Sequence, residues 1–253
     1  MRLQKKQRFT QEAVAAILAI TFGFFLMCCS GDSSTLRVMA AASLSDAFHE
    51  IAEAFEHETG TRSTIYTAGS TTLATQLEEG AEADVIGLAN EQTLERVITS
   101  GRVADNTLVQ IFATNRMVIV TPKGNPASIS SFKDLPDVLL AICAPAVPCG
   151  VLSYELAERK GVVLKPASEE PSVRSVRTKV ELGEVDAGLI YITDTTMNME
   201  VIRIQDSEDV FTRYPIAVLE PSKAEAEDFV AFVISDNGQS ILKKHGFGVK
   251  YEN

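Results

Sequence analysis

A short apolar run, Leu36 to Ala40, passes through small residues into a segment whose apolar positions repeat at helical spacing. Leu44, Ala47, Phe48, Ile51, Ala52 and Phe55 fall on one helix face. The pattern predicts a strand feeding a helix through the turn Ala41-Ala42-Ser43. A second unit follows, with a strand over Thr64 to Ala68, the turn Gly69-Ser70-Thr71-Thr72, and a helix carrying Leu73 and Leu77 that stops at Gly80. Ala83 to Ala89 reads as a third, buried strand, and Leu94, Val97 and Ile98 mark the next helix. Alternation of this kind builds a parallel sheet whose ligands sit at the strand C-terminal ends.

The pattern changes at Val109 to Val120, a long β-rich segment interrupted by Asn115-Arg116 and closed by the turn-rich Pro122 to Pro126. A second such segment, Val210 to Leu219, contains Pro215. Between them lies another α/β set. It has strands at Val138 to Ile142, Ala187 to Tyr191 and Val201 to Ile204, and helices at about Val151 to Lys160 and Val173 to Leu182. Two C-terminal helices are expected to open with capping boxes, Ser222-x-x-Glu225 and Asp236-x-x-Gln239. The simplest architecture is two α/β lobes, the second inserted in the first, joined by two crossing strands. Lobe 1 is assigned 35–116 and 216–253, and lobe 2 117–215.

At 253 residues and 45% hydrophobic, the chain has ample core for two modest domains. A net charge of −11 argues against nucleic acid or an anionic membrane surface as partner. An anion site in such a chain needs local, directed donors. The turns at Ser43 and Ser70 offer them, since each helix start presents unpaired N–H groups and a positive dipole end beside a hydroxyl. Either serine, or Ser45, could instead simply cap its helix.

The N-terminus reads as an export signal. Arg2, Lys5, Lys6 and Arg8 precede an apolar stretch from Ala13 to Met27, shorter than the roughly 20 residues a spanning helix needs. It ends in Leu26-Met27-Cys28-Cys29-Ser30-Gly31, which resembles a lipoprotein signal with Cys29 as the lipidated residue. Residues 1–28 are then the signal peptide and 29–34 a tether, which places the folded part outside the cytoplasm on a lipid anchor. There a disulfide closing Cys143-Ala144-Pro145-Ala146-Val147-Pro148-Cys149 is expected. Without a nearby His the pair makes a poor zinc site, and it is not a Cys-x-x-Cys redox motif.

Six blocks occur in order: Ala40-Ala41-Ala42-Ser43-Leu44, Gly69-Ser70-Thr71-Thr72-Leu73-Ala74, Glu82-Ala83-Asp84-Val85, Val147-Pro148-Cys149-Gly150, Val173-Arg174 and Gly188-Leu189-Ile190-Tyr191. Together they resemble the molybdate-binding proteins of ABC importers over about Leu36 to Phe247. The resemblance implies an α/β, two-lobed periplasmic-binding-protein fold (type II). Each lobe would be a mixed, mostly parallel sheet flanked by helices, with the ligand in the interlobe cleft. It implies a ligand set of neutral donors for molybdate or tungstate. Ser43 and Ser70 would give hydroxyl and backbone N–H, Cys149 and Val173 backbone N–H, and Tyr191 its phenol. No direct metal ligand, no cofactor and no catalysis are implied. The partners would be a permease with its ATPase and the membrane through the lipid anchor, and the receptor itself a monomer. Oxyanion entry would close the lobes about strands near Asn115 and Pro215.

Two positions depart from the family pattern. Cys149 stands where a small residue is usual, and Asn90 where an Asp is often found; Asn90 receives no ligand role. Arg174 and Arg177 are expected at the surface or behind the site, and His49, His57 and His245 as exposed residues rather than ligands. The rival readings are a binder of another tetrahedral oxyanion such as sulfate, a ferric-iron binder of the same fold, a sensor ectodomain, and a serine hydrolase using Ser43 or Ser70. The hydrolase lacks a Gly-x-Ser-x-Gly elbow. The iron site would want paired tyrosines with carboxylates.

Overall fold

The computed structural model describes residues 35–103 and 109–249. The signal segment, the tether and Cys29 lie outside them. β1 (Leu36–Ala41) is buried on both faces, as a strand covered by helices must be. It runs parallel to β2 (Ser63–Ala68) and β3 (Val85–Gly87). A 3-10 turn, Ala42–Leu44, leads from β1 into helix α1 (Ser45–Thr59), which buries Phe48, Ile51 and Phe55. Gly60, at φ 77°, ends it in the left-handed conformation that glycine adopts without a Cβ clash. Helices α2 (Ser70–Glu78) and α3 (Glu91–Thr99) follow β2 and β3.

The β-rich segment after α3 is two strands in two sheets. β4 (Gln110–Asn115) lies in the first sheet and β5 (Met117–Pro122) in the second, with Arg116 as the crossing. The second sheet takes β6 (Leu140–Cys143), β7 (Ser168–Glu170), β8 (Ala187–Tyr191) and β9 (Met199–Arg203). Its helices are α4 (Pro148–Lys160) and α5 (Val173–Glu181). The chain returns through β10 (Thr212–Val218), then α6 (Glu225–Ile234), α7 (Asp236–Lys244) and β11 (Gly248–Val249). The sheet orders are β11-β4-β10-β3-β1-β2 and β7-β6-β8-β5-β9. This is a two-lobed α/β fold.

Several expectations need correction. Both sheets are mixed, but less parallel than expected. β10 runs antiparallel to β3 and β4, and β5 antiparallel to β8 and β9, because strands that arrive from the other lobe enter with reversed direction. The expected lobe limit at 215/216 falls inside β10, whose paired residues all belong to the first sheet. The return crossing therefore lies within 204–211. Helix α4 begins at Pro148, three residues before the expected Val151, because proline at the first helical position loses no hydrogen bond. Neither expected capping box forms. α6 has no side-chain cap, and α7 is capped by Ser235, whose Oγ accepts from Gly238 N, while Gln239 turns inward to Phe112 O and Val233 O.

Apolar burial explains why the sheets and helices hold. Phe48, Phe55, Phe112, Phe229 and Phe232 pack tilted or edge-to-face between α1, α6 and β4. Each such ring contributes on the order of 1.5–3 kcal/mol by leaving water. A satellite cluster of Leu73, Leu77, Ile86, Leu94 and Val97 packs α2 and α3 onto the opposite face of the first sheet.

Candidate functional site

The helix starts converge. The turn at Ala41, Ala42 and Ser43, the start of α2 at Gly69 and Ser70, and Ala89 after β3 line a cavity from the first lobe. Val147, Pro148 and Cys149 at the start of α4, Ser172 and Val173 at the start of α5, and Tyr191 at the end of β8 line it from the second. All five residues of the expected ligand set, Ser43, Ser70, Cys149, Val173 and Tyr191, are brought to this one cavity. It is tight, with a volume of about 10 Å³. None of its lining side chains is charged. A larger open groove of about 540 Å³ lies by Arg37, Tyr66 and Gln76, along the edge strand β2, and no helix start points into it.

Each serine is held from behind. Ser43 Oγ lies 2.9 Å from Tyr214 Oη, and Ser70 Oγ accepts the Ala89 N–H at 3.1 Å. Neither hydroxyl caps its helix: the caps of the Ala42–Leu44 turn, α1 and α2 carry no side-chain bond. Ser172 does cap α5, accepting from Ser175 N at 3.2 Å. First-turn N–H groups have no acceptor inside their own helix, so the starts of α2, α4 and α5 direct donors at the cavity.

Cys143 and Cys149 are joined by a disulfide, with Cα atoms 5.6 Å apart. It ties the end of β6 to the first turn of α4. Gly150 lets the loop fold that tightly, since a Cβ there would sit 2.0 Å from the Ala144 carbonyl oxygen. Tyr191 is 1% exposed and its Oη has no hydrogen-bond partner. The Thr212 hydroxyl is close enough to affect the phenol's titration but lies outside hydrogen-bond geometry, and it donates to the Ala89 carbonyl. Burial pushes Tyr191 and Tyr214 well above the ordinary phenol range, so both remain protonated donors.

The lobes meet around the cavity. Thr71 Oγ1 donates to Ala146 O at 3.0 Å, and Arg174 Nη2 lies 2.7 Å from Asp46 Oδ2. Gly69 packs so closely on the second lobe that a Cβ would lie 2.1 Å from the Pro171 carbonyl oxygen. Behind this contact Asp194 is buried, 3.9 Å from Arg174 Nε. Burial pushes its carboxyl up to about 7, against the pull of Arg174 and Arg177. Arg174 thus bridges the lobes rather than facing solvent.

Sequence reasoning missed Tyr214, Asn115, Gly69 and Ser172. Of these only Asn115 left a local signal, a polar residue interrupting an apolar strand. Asn90 caps α3, its Oδ1 accepting from Thr93 N at 3.0 Å, which is why an Asn serves as well as an Asp there. His49 and His57 are exposed; His245 is half-buried against Glu50. Among the described residues no group of His, Cys, Asp and Glu could hold a metal ion. Among the same residues no helix is long and apolar enough to cross a membrane.

Residues 36–248 match the family model of the bacterial extracellular solute-binding proteins. The molybdate-binding protein ModA of Mycobacterium tuberculosis is 40% identical over 221 residues, 84% of each chain. ModA of Escherichia coli is 29% identical over 238 residues, 87% of this chain and 91% of that one. The solved molybdate-binding protein of Azotobacter vinelandii superposes with a TM-score of 0.73 at 17% identity, over 85% of this chain and 99% of that one, a likeness of fold. With its two lobes, its helix starts turned on one cavity and these relatives, the chain belongs to the bacterial extracellular solute-binding proteins, the family that includes the molybdate-binding proteins.

Proposed function

We propose that this protein binds molybdate, and tungstate, in the interlobe cavity and delivers the ion to an ABC importer from a lipid anchor at Cys29. One observation carries the reading: the cavity is tight, has no charged side chain in its lining, and is lined from both lobes by helix starts, two serines and a tyrosine. A dianion stripped of water is costly to bury unless its oxygens find donors. Hydrogen bonds to charged groups contribute about 1.5–3 kcal/mol each, so Ser43, Ser70, Tyr191 and the N–H groups of Cys149 and Val173 together offset that cost. The 40% identical relative is a molybdate-binding protein, which supports the choice of ion. A site of N–H groups and hydroxyls that present their protons accepts a fully deprotonated oxyanion, and it offers no carboxylate to take the proton of hydrogen phosphate. Sulfate, equal in charge and shape but with shorter bonds to oxygen, would be rejected through the spacing of these donors.

The hydrolase reading finds no base. Ser43 faces Tyr214, Ser70 faces a backbone N–H, and His49 Nδ1 faces the carbonyl of Ser45 in its own helix. The test is calorimetric titration of the full chain, in mild detergent, with molybdate, tungstate, sulfate and phosphate. One-to-one binding of the first two, orders of magnitude tighter than sulfate, is expected. Preferential binding of sulfate or phosphate would reassign the ligand, and silence with all four would end the receptor reading.

A further inference from the structure

A distance of 2.9 Å between Ser43 Oγ and Tyr214 Oη leaves open which hydroxyl donates. The direction is fixed one residue further back. Asn115, buried at the end of β4, accepts the Arg116 N–H on Oδ1 at 2.9 Å. That pins the amide, because the flipped form would set an NH₂ group against a backbone N–H. Nδ2 must therefore be the end that donates to Tyr214 Oη at 3.2 Å and to Thr193 Oγ1 at 2.7 Å. Tyr214 Oη is now an acceptor on one side, and its single proton needs an acceptor on the other. Tyr191 Oη makes no hydrogen bond, so Ser43 Oγ is the acceptor that remains. Ser43 then accepts from Tyr214, and its own proton is free to point into the cavity.

We propose that Asn115 and Tyr214 are positioning residues that polarise Ser43 into an obligatory donor toward the bound oxyanion. The inference rests on the oxyanion reading of the cavity. Ser70 reaches the same polarity by another route, since its Oγ accepts the Ala89 N–H and its proton is likewise left over. Both serines are thus presented to the cavity proton first, one through a backbone amide and one through a side-chain relay. The relay starts where the chain crosses between sheets, and the same Asn115 amide holds Thr193, which follows Tyr191 by two residues. One amide therefore orients the donor of the first lobe while bonding to the segment that follows the phenol of the second. Freed of Tyr214, the Ser43 hydroxyl could turn and accept, and the site would tolerate a protonated ligand better.

The test is a double-mutant cycle on the full chain, reading molybdate affinity by calorimetry for wild type, Tyr214→Phe, Ser43→Ala and the double variant. Tyr214→Phe alone should weaken binding about tenfold, the effect of losing one oriented hydrogen bond. In the Ser43→Ala background the same change should have no further effect, because there is no hydroxyl left to orient. The preference for molybdate over hydrogen phosphate should narrow in Tyr214→Phe, which a purely structural role would not produce. Additive losses in the double variant, or an unchanged preference, would overturn the relay. Should Tyr214→Phe fail to fold, Asn115→Ser, which removes the amide donor and leaves the buried ring in place, carries the same cycle with the same expectations. A wild type that binds no oxyanion would overturn the reading of the site and the relay with it. A wild type that binds, with additive variants, would overturn the relay alone.

Discussion

Gly69→Ala separates closure of the lobes from stability of the fold. Gly69 sits at φ −58°, ψ 139°, a conformation any L-residue adopts, so alanine brings no backbone strain. By restricting the unfolded chain it should stabilise the unliganded protein by about 0.4–1 kcal/mol. In the closed form, however, its Cβ would lie 2.1 Å from the Pro171 carbonyl oxygen and 3.2 Å from the carbonyl carbon. Both are main-chain atoms, so the lobes must part. The contacts at risk are the Thr71–Ala146 hydrogen bond and the Arg174–Asp46 pair. The first contributes about 0.5–1.5 kcal/mol. The second adds little, since the Asp46 side chain is 65% exposed and water screens it. If one ligand donor from the second lobe is also lost, the total is about 2–4.5 kcal/mol, or roughly 30- to 2,000-fold in affinity. Calorimetry measures the affinity and thermal unfolding without ligand measures the fold. Unchanged affinity in a normally folded Gly69→Ala variant would refute the claim that binding requires this approach of the lobes.

Ser43→Ala combined with Ser70→Ala should abolish oxyanion binding while circular dichroism reports an intact fold; retained affinity would remove both serines from the site. Reducing the Cys143–Cys149 bond, whose cysteines are six apart, should cost about 2 kcal/mol by loop entropy. The melting temperature should then fall by about 4–8 °C in reductant, and binding should weaken because the loop carries the first turn of α4. For Asp194 the sign follows from its raised value. With the folded carboxyl at about 7 and the unfolded one near 3.8, the folded chain holds the extra proton between those limits. The group therefore favours folding in acid and loses that contribution as pH rises through about 7. The advantage of Asp194→Asn over wild type should grow between about pH 4 and 7 and level off above that, read from urea midpoints at each pH; parallel pH profiles would exclude Asp194 as the source.

The fold was legible where periodicity is local. Ala187–Tyr191 has the same limits in sequence and structure, and the break at Asn115-Arg116 is the point where one β-rich run changes sheets. Local patterning could not show that Val210 to Leu219 stays with the first sheet, because strand partners are chosen across the fold and β10 pairs with residues about a hundred or more positions earlier. The failed capping boxes have the same origin. Gln239 finds two buried carbonyls, a better fate for its amide than an exposed helix start. At the site, the helix starts carried their own signature of small residues followed by apolar periodicity, so the cavity's lining was visible in outline. Its backing was not. Tyr214 lies 171 positions from the serine it touches and looks locally like any aromatic on a buried strand.

The cavity's polarity also explains how a ligand could drive closure. Its donors are divided: Ser43 and Ser70 on one lobe, the N–H groups of Cys149 and Val173 and the phenol of Tyr191 on the other. With the lobes together and no ion between them, a donor of this set that finds no protein partner is removed from water unpaired. Tyr191 shows the cost directly, a phenol buried with no partner. Such an orphan costs about 1–3 kcal/mol, which disfavours an empty closed form by that amount. An oxyanion supplies the missing acceptors to both lobes at once and turns that cost into binding energy. Reversing a 1:99 equilibrium to 99:1 needs about 5.5 kcal/mol of preference for one form, so the rescued phenol would supply part of it and the ion's bonds to the other donors the rest. An acidic chain of net charge −11 gains nothing from general attraction to an anion. On the proposed reading, neutral donors split across the cleft would give it both the affinity and the conformational signal.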